Sequence, residues 1–190
     1  MDEEITIIDS NTRNEKIKNF FIDYKKKLII GALLIFVTIG VYFLFEEMKE
    51  QKKIELANNY NLIKINFNTE DKQKTINQLI KLVKENDKTY SPLALYYLID
   101  NNLINNVNEI NDLFNEVINK ANLDEEIKNL LIYKKALINS DVASGNDLLQ
   151  ILNPIINSES IWKSHALYLV AEYFYSNDEK EKSKEFFNQI

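Results

Sequence analysis

The sequence predicts an all-α protein in which one N-terminal transmembrane helix is followed by an array of helical hairpins. Three observations support this fold class. An uncharged apolar run extends over residues 28–45. Only three glycines and two prolines interrupt the chain, and alternating polar and apolar runs are few, which favours helices over a turn-rich β fold. Related helical segments recur at intervals of 35 and 37 residues.

The apolar run at residues 28–45 has the length and composition of a transmembrane helix. Its 18 residues make a helix of about 27 Å, close to the roughly 30 Å of a bilayer's hydrocarbon core. Thirteen of them are Leu, Ile, Val or Phe, which together contribute about −4 to −8 kcal/mol to insertion. A cleaved signal peptide needs small residues at its cleavage site, but residues 42–46 are bulky or acidic. The sequence therefore predicts an uncleaved anchor, with a buried core helix as the alternative.

The basic residues near the span predict its orientation, because positively charged segments resist translocation. Six basic residues precede the span, including Lys25, Lys26 and Lys27 at its boundary, whereas three follow within a similar distance. We expect residues 1–27 to form a cytoplasmic tail and residues 46–190 to form a helical domain on the exported side.

The end of the tail carries an apolar stripe. Ile17, Phe20, Phe21 and Tyr24 follow helical spacing and have lysines around them. Such a basic amphipathic segment can lie on anionic membrane lipid, and it can equally be a continuation of the anchor helix.

The elements after the anchor follow from caps and breaks in the sequence. Residues 48–67 are predicted to continue as a helix that leaves the membrane. Asn68 or Thr69 is predicted to cap the next helix. Ser91 is predicted to cap a third, central helix that begins at Pro92. Asn, Ser, Gly and Asp breaks indicate five further helices, at about residues 109–121, 124–139, 146–152, 160–175 and 178–189.

Three of these segments align with one another. Superposing SPLALYYLID, EIKNLLIYKK and KSHALYLVAE brings Leu95, Leu130 and Leu167 into register. The spacing is close to the 34-residue period of the tetratricopeptide repeat, or TPR.

The last unit also has the small and aromatic residues that let paired TPR helices pack closely. Ala171 is followed by Phe174, and Ser183 is followed by Phe187. The predicted domain is therefore a TPR-like α-solenoid of about four hairpins.

The sequence predicts no catalytic residue, no metal site and no cofactor site. There is no Cys, and the single histidine, His165, lies on a predicted helix with no second His or Cys to complete a metal shell. Three glycines leave no Gly-rich phosphate loop. The acidic cluster at residues 124–126 begins a helix, where carboxylates stabilise the exposed N–H groups. We expect a protein that is not an enzyme.

Charge and aromatic content bear on the partners of the domain. Residues 46–190 hold 17 basic and 23 acidic groups, an acidic balance that argues against nucleic acid. Aromatic helices suggest interhelical packing, a peptide-binding groove, or both. The candidate packing or interaction residues are Tyr96, Tyr97, Trp162, Tyr168, Ala171, Phe174 and Phe187.

Several segments together follow the layout of a known family. They are a tail ending in EKIKNFFIDYKKK, one anchor, an acidic helical domain and the segment SIWKSHALYLVAEYFYSNDEKEKSKEFFNQI, with Trp162, Ala166, Ala171 and Phe187 as the most specific residues. In this the chain resembles the bacterial ancillary SecYEG translocon subunit family. The resemblance implies a single-pass inner-membrane protein whose periplasmic domain meets translocon subunits, exported chains or periplasmic chaperones. Asp178 departs from the pattern, since repeat turns usually have Gly there.

Two functions follow from these features. The first is a non-catalytic scaffold that docks proteins near the Sec translocon. The second is a self-assembling, homo-oligomeric membrane scaffold for envelope or division proteins. The sequence ends at Ile190, directly after the last predicted helix, which leaves the last apolar face uncapped. Either the end is truncated or a partner covers this face, and an uncapped helix would also support self-assembly.

Overall fold

The computed structural model describes residues 2–67 and 71–190, and the side chains from residue 13 onward within those ranges. The described residues form eight α-helices and no β-strand, which confirms the all-α prediction. The helices are α1 (Asp2–Asn66), α2 (Lys72–Lys84), α3 (Tyr90–Asp100), α4 (Val107–Lys120), α5 (Glu125–Asn139), α6 (Gly145–Ile156), α7 (Lys163–Ser176) and α8 (Lys180–Phe187). The chain divides into two compact units, the first ending at Ile54 and the second comprising Glu55–Ile190.

In the first unit, the described residues form the part of α1 up to Ile54, which contains the tail, the anchor and the start of the segment after it. Among the described residues, α1 is the one helix long and apolar enough to cross a membrane, and none of its most apolar stretch is buried. The alternative of a core helix required burial, so the exposed apolar surface favours a span. The stripe of Ile17, Phe20, Phe21 and Tyr24 lies exposed on this same helix.

The second unit begins where α1 acquires a buried face. Leu56 and Ile63 are buried, and Tyr60 and Phe67 pack beside them, at the spacing of one helical face. These side chains belong to the first hydrophobic core, which also contains residues of α2, α3 and α4. The last turns of α1 are therefore part of the helical domain.

The start of α2 differs slightly from the prediction. Asp71 is the N-cap residue, and its carboxylate accepts a hydrogen bond of 3.0 Å from the backbone N–H of Gln73. An acidic cap satisfies a free N–H group and suits the positive end of the helix. The predicted caps Asn68 and Thr69 lie outside the described residues.

The predicted cap of α3 is wrong. The helix begins at Tyr90, two residues before Pro92, and the carboxylate of Asp87 accepts the N–H of Tyr90 at 2.7 Å. Ser91 is buried, and its hydroxyl donates to the Leu82 carbonyl at 2.9 Å, which joins α3 to the end of α2. Pro92 is tolerated inside the first turn because N–H groups there have no partner within the helix.

The observed boundaries of the later helices differ from the predicted ones by a few residues. Helix α6 continues past the predicted end at residue 152 and includes Pro154 in its last turns. It starts with a capping box in which Ser144 and Asp147 satisfy each other's N–H groups. Before α8, Asp178 adopts a φ of 60°, so an aspartate occupies the left-handed conformation for which repeat turns use glycine.

Two hydrophobic cores stabilise the domain. The first, built from α1 to α4 together with Leu131 of α5, has Leu79, Leu95 and Phe114 fully buried. The second, from α5 to α7, has Leu148 and Val170 fully buried. From α2 to α8 each helix packs against its neighbour in sequence, with further contacts between α2 and α4 and between α5 and α7.

The predicted register of the three related segments holds for two of them. Leu95 in α3 and Leu167 in α7 are both buried in the core. In α5, Leu131 is fully buried, whereas Leu130 is only half-buried. In the middle segment the fully buried leucine is therefore Leu131, next to the aligned Leu130.

Candidate functional site

The structure separates the predicted interaction residues into packing residues and surface residues. Tyr97 is a packing residue, because its ring meets Phe67 at 5.6 Å and Tyr60 at 6.3 Å in edge-to-face geometry. These contacts hold the end of α1 against α3.

Tyr96 faces α5 instead. The ammonium of Lys134 lies 4.2 Å from the centre of its ring, a cation–π contact between the two helices. The Tyr96 hydroxyl is buried and finds no hydrogen-bond partner among the described residues. Burial, with a smaller contribution from Asp100, raises the pKa of Tyr96 to about 12. This tyrosine therefore serves packing at the α3–α5 contact.

Trp162 forms a small aromatic cluster with Tyr133 and His165 at the surface of the second core. Its ring stacks on Tyr133 at 5.9 Å, and the exposed imidazole of His165 lies 5.4 Å away. Within the described part of the chain, no group of three or more His, Cys, Asp or Glu residues is arranged to hold a metal. His165 thus lies among aromatic rings on the surface.

Ala171 and Phe174 are buried, and they are packing residues. The Phe174 ring is stacked parallel to Phe186 with centroids 5.6 Å apart, which fixes α8 against α7. Ala171 is small and fully buried in α7.

Tyr168 and Phe187 are the predicted residues that remain at the surface, 50% and 41% exposed. Their rings are 5.7 Å apart, so they form an aromatic pair between α7 and α8. The Tyr168 hydroxyl donates a hydrogen bond to Glu172, and this bond raises the tyrosine's pKa. The basic residues Lys25, Lys26 and Lys27 are exposed on α1, in the other unit.

Phe187 also lines a cleft of about 630 Å³, which we call the α5–α7–α8 cleft. It forms between the end of α5 and the second half of α7, with Phe187 of α8 at one side. Its lining residues are Leu137, Ser140, Asp141, Leu169, Glu172, Tyr173, Tyr175, Ser176 and Phe187.

The cleft combines exposed apolar surface with negative charge. Leu137 is 49% exposed and Tyr175 is 62% exposed. Asp141 and Glu172 contribute two carboxylates, and none of the nine lining residues is basic. Such a surface can hold an apolar side chain beside a positive charge.

Sequence reasoning missed most of this cleft. Tyr168, Glu172 and Tyr175 are spaced so that they share one face of α7, and that spacing was available as a signal. No sequence pattern indicated that Leu137 and Asp141 line the cleft, because their position depends on the end of α5 lying next to α7.

Comparison with protein-family models, with curated proteins and with solved structures finds no match to this chain. The apolar span and the cleft therefore carry the functional proposal.

Proposed function

We propose that this protein is a non-catalytic, single-pass membrane scaffold whose helical domain docks other proteins, and that it acts as an accessory factor at the Sec translocon. The observation that carries the proposal is the combination of one unburied apolar helix with a domain that exposes an apolar, acidic cleft. Within the described residues the cleft offers binding groups and no assembled metal site.

A TPR-like solenoid is the architecture we propose for the domain. Packing of successive helices, with added contacts from α2 to α4 and from α5 to α7, supports it. The matching burial of Leu95 and Leu167 in α3 and α7 also supports a repeated unit. Helical arrays of this kind expose surfaces that hold other proteins.

The proposed topology places residues 1–27 in the cytoplasm and the helical domain in the periplasm. Lys25, Lys26 and Lys27 support this orientation, because a basic flank is retained on the cytoplasmic side. A reporter that is active only outside the cytoplasm, fused after Ile190, should be active. Replacing the three lysines by glutamine should lower that activity. Activity of a cytoplasm-specific reporter at the same position would contradict the topology.

The translocon assignment is tested by affinity purification of the tagged full-length chain from membranes in mild detergent. Channel subunits or a periplasmic chaperone should be recovered with it. A variant with Leu34→Asp and Val37→Lys, which carries two charges inside the span, should recover neither, because it lacks its anchor. If the wild-type chain also recovers neither, the assignment fails.

A self-assembling membrane scaffold is the second candidate function. The exposed aromatic surface of Tyr175 and Phe187 favours it, because such a surface can also pair with another copy. Light scattering of the full-length chain in mild detergent distinguishes the two. A monomer contradicts self-assembly, whereas a concentration-dependent oligomer supports it.

A further inference from the structure

The α5–α7–α8 cleft lies where the C-terminal ends of α5 and α7 come together. Leu137 and Ser140 lie at the end of α5, and Tyr175 and Ser176 are the last residues of α7. Helix α8 folds back along α7, and its residue Phe187, beside Tyr168, adds an aromatic ring to the cleft. The final carbonyl groups of a helix lack partners within it, and they carry a partial negative charge. The convergence therefore concentrates negative potential at the cleft.

Helix ends of this kind are often neutralised by lysine or arginine in the last turn. Neither α5 nor α7 has a basic residue in its last turn. Helix α8 has Lys184 in its last turn, but Lys184 does not line the cleft. Asp141 and Glu172 add two full negative charges to ends that are already negative.

The apolar part of the cleft lies beside these charges. Phe187, Tyr175 and Leu137 are exposed large side chains, and the Tyr168 ring supports Phe187 from the side. Aromatic rings at the centre of a surface patch are the residues that most often anchor a bound peptide.

We propose that the α5–α7–α8 cleft binds a cationic amphipathic segment of a partner protein. The segment's lysine or arginine pairs with Asp141 and Glu172 and with the helix ends, while a neighbouring apolar side chain packs on Phe187 and Tyr175. The inference rests on the proposed scaffold function, since it names the ligand class of the same surface.

The test uses the full-length chain in nanodiscs of phosphatidylcholine, whose zwitterionic surface does not attract a cationic peptide. The probe is a fluorescein-labelled amphipathic peptide of lysine, leucine and alanine, and its binding is followed by fluorescence anisotropy with empty nanodiscs as background. The same peptide with glutamate in place of lysine should bind at least tenfold more weakly. Added salt should weaken binding of the lysine peptide, because exposed charge pairs are screened.

Two variants examine the two parts of the cleft. The double variant Asp141→Asn/Glu172→Gln should weaken binding of the lysine peptide about threefold to tenfold, the effect expected from two exposed charge pairs. Phe187→Ser should weaken it by a similar factor through loss of the apolar anchor. Glu109→Gln/Asp112→Asn makes the same change of charge on exposed residues of α4, away from the cleft, and should leave binding unchanged.

Three outcomes overturn the proposal. Equal binding of the lysine and glutamate peptides shows that charge does not select the ligand. If the α4 control weakens binding of the lysine peptide as much as the cleft variant Asp141→Asn/Glu172→Gln, binding depends on the net charge of the protein and not on the cleft. Failure to bind the peptide, together with a dimer that Phe187→Ser dissociates, shows that a second copy occupies the surface.

Failure of the proposed ligand class can be told apart from failure of the proposed scaffold function. If channel subunits are recovered but the lysine peptide does not bind, only the ligand class is wrong. If the peptide binds with the expected variant effects but neither channel subunits nor a chaperone is recovered, the translocon assignment is wrong and the ligand class holds.

Discussion

At the residue scale, two tyrosine hydroxyls differ in what they contact. The Tyr173 hydroxyl donates a hydrogen bond of 3.0 Å to the Ala143 carbonyl, whereas the Tyr96 hydroxyl is buried without a partner among the described residues. A made hydrogen bond contributes about 1 kcal/mol, and burying an unmade one costs about 1 to 3 kcal/mol.

We therefore expect Tyr96→Phe to leave the free energy of unfolding unchanged or to raise it by about 1 kcal/mol. The phenylalanine ring keeps the cation–π contact with Lys134. Tyr173→Phe is the matched control and should lower the free energy of unfolding by about 1 kcal/mol. Urea denaturation of the full-length chain in mild detergent, followed by circular dichroism, measures both. If Tyr96→Phe lowered the free energy of unfolding as much as Tyr173→Phe, this would contradict the description of the Tyr96 hydroxyl as buried without a hydrogen-bond partner.

The raised pKa of Tyr96 predicts how stability depends on alkaline pH. The pKa is about 12 in the folded chain and about 10 in an unfolded one, because burial disfavours the phenolate. Between these values the unfolded state binds fewer protons than the folded state, so the free energy of unfolding falls as pH rises. The contribution of Tyr96 to the free energy of unfolding is complete below pH 10 and is lost between pH 10 and pH 12.

Tyr96→Phe should therefore lose less stability over this alkaline interval than the wild-type chain. The raised pKa of Tyr60 acts in the same direction in both proteins, so the difference between them isolates Tyr96. Urea midpoints at pH 9 and pH 11 provide the measurement. Parallel pH profiles for the two proteins would show that Tyr96 does not titrate as described.

At the element scale, a polar contact joins α4 to α5. Asn111 and Asn139 exchange side-chain hydrogen bonds of 2.9 and 2.7 Å, and Asn139 also donates to the Lys135 carbonyl at 2.7 Å. Such a reciprocal pair is made in only one register of the two helices. It lies at the α4–α5 contact, which links the helices of the first core to those of the second.

Asn111→Ala and Asn139→Ala should each lower the free energy of unfolding by about 1 to 3 kcal/mol. The first leaves the side-chain oxygen of buried Asn139 without its donor, and the second leaves the half-buried amide of Asn111 without its partner. The double variant should lose less than the two single losses added together, with a coupling of about 0.5 to 3 kcal/mol. Full additivity in a urea double-mutant cycle would mean that the two side chains do not interact. Asn101→Ala, at the end of α3, is a control outside this contact.

The start of α6 meets the end of α7 at a position where only glycine fits. A Cβ atom at Gly145 would lie 2.9 Å from the Phe174 ring and 3.1 Å from the Tyr173 ring. Alanine is normally the better helix residue, but here it would push Phe174 off its stack on Phe186.

Gly145→Ala should therefore lower the free energy of unfolding by about 1 to 3 kcal/mol, the usual cost of overpacking. Asn146→Ala places an alanine at the next, exposed position of the same helix and should be close to neutral. Thermal or urea denaturation distinguishes the two. A stabilising Gly145→Ala would show that the ring moves away at little cost.

At the scale of the whole molecule, the apolar part of α1 is predicted to hold the chain in the membrane. One charge at the centre of a span costs about 2.5 to 3.5 kcal/mol, so two charges offset the roughly 4 to 8 kcal/mol gained from the apolar residues. Leu34→Asp/Val37→Lys should therefore move most of the chain into the supernatant after alkaline carbonate extraction of membranes.

The chain offers a matched control for this test. Leu62→Asp/Ile65→Lys introduces the same charges on the same helix, at exposed positions outside the span. This variant should remain in the membrane pellet like the wild-type chain. Release of both variants, or of neither, would show that residues 28–45 do not act as the anchor.

The parts of the fold that depend on local pattern were predictable. The apolar run, the helical class and the centres of the later helices follow from composition, spacing and breaks that lie within a few residues of one another. Caps were less predictable, because Asp87 and Ser91 act through a turn whose geometry depends on packing of α3 against α2. The burial of Leu131 in place of Leu130 in α5 also depends on how the helices pack.

The sequence by itself determined that the chain is helical and that residues 28–45 are apolar enough to span a bilayer. Each of these depends on short-range periodicity or on the chemistry of a single stretch. Only the tertiary structure decided which aromatic residues remain exposed and that Asp141, Glu172 and Phe187, from the end of α5, from α7 and from α8, line one cleft. Residues 46 positions apart in the chain line one cleft there, because helix packing depends on the whole core and not on local sequence.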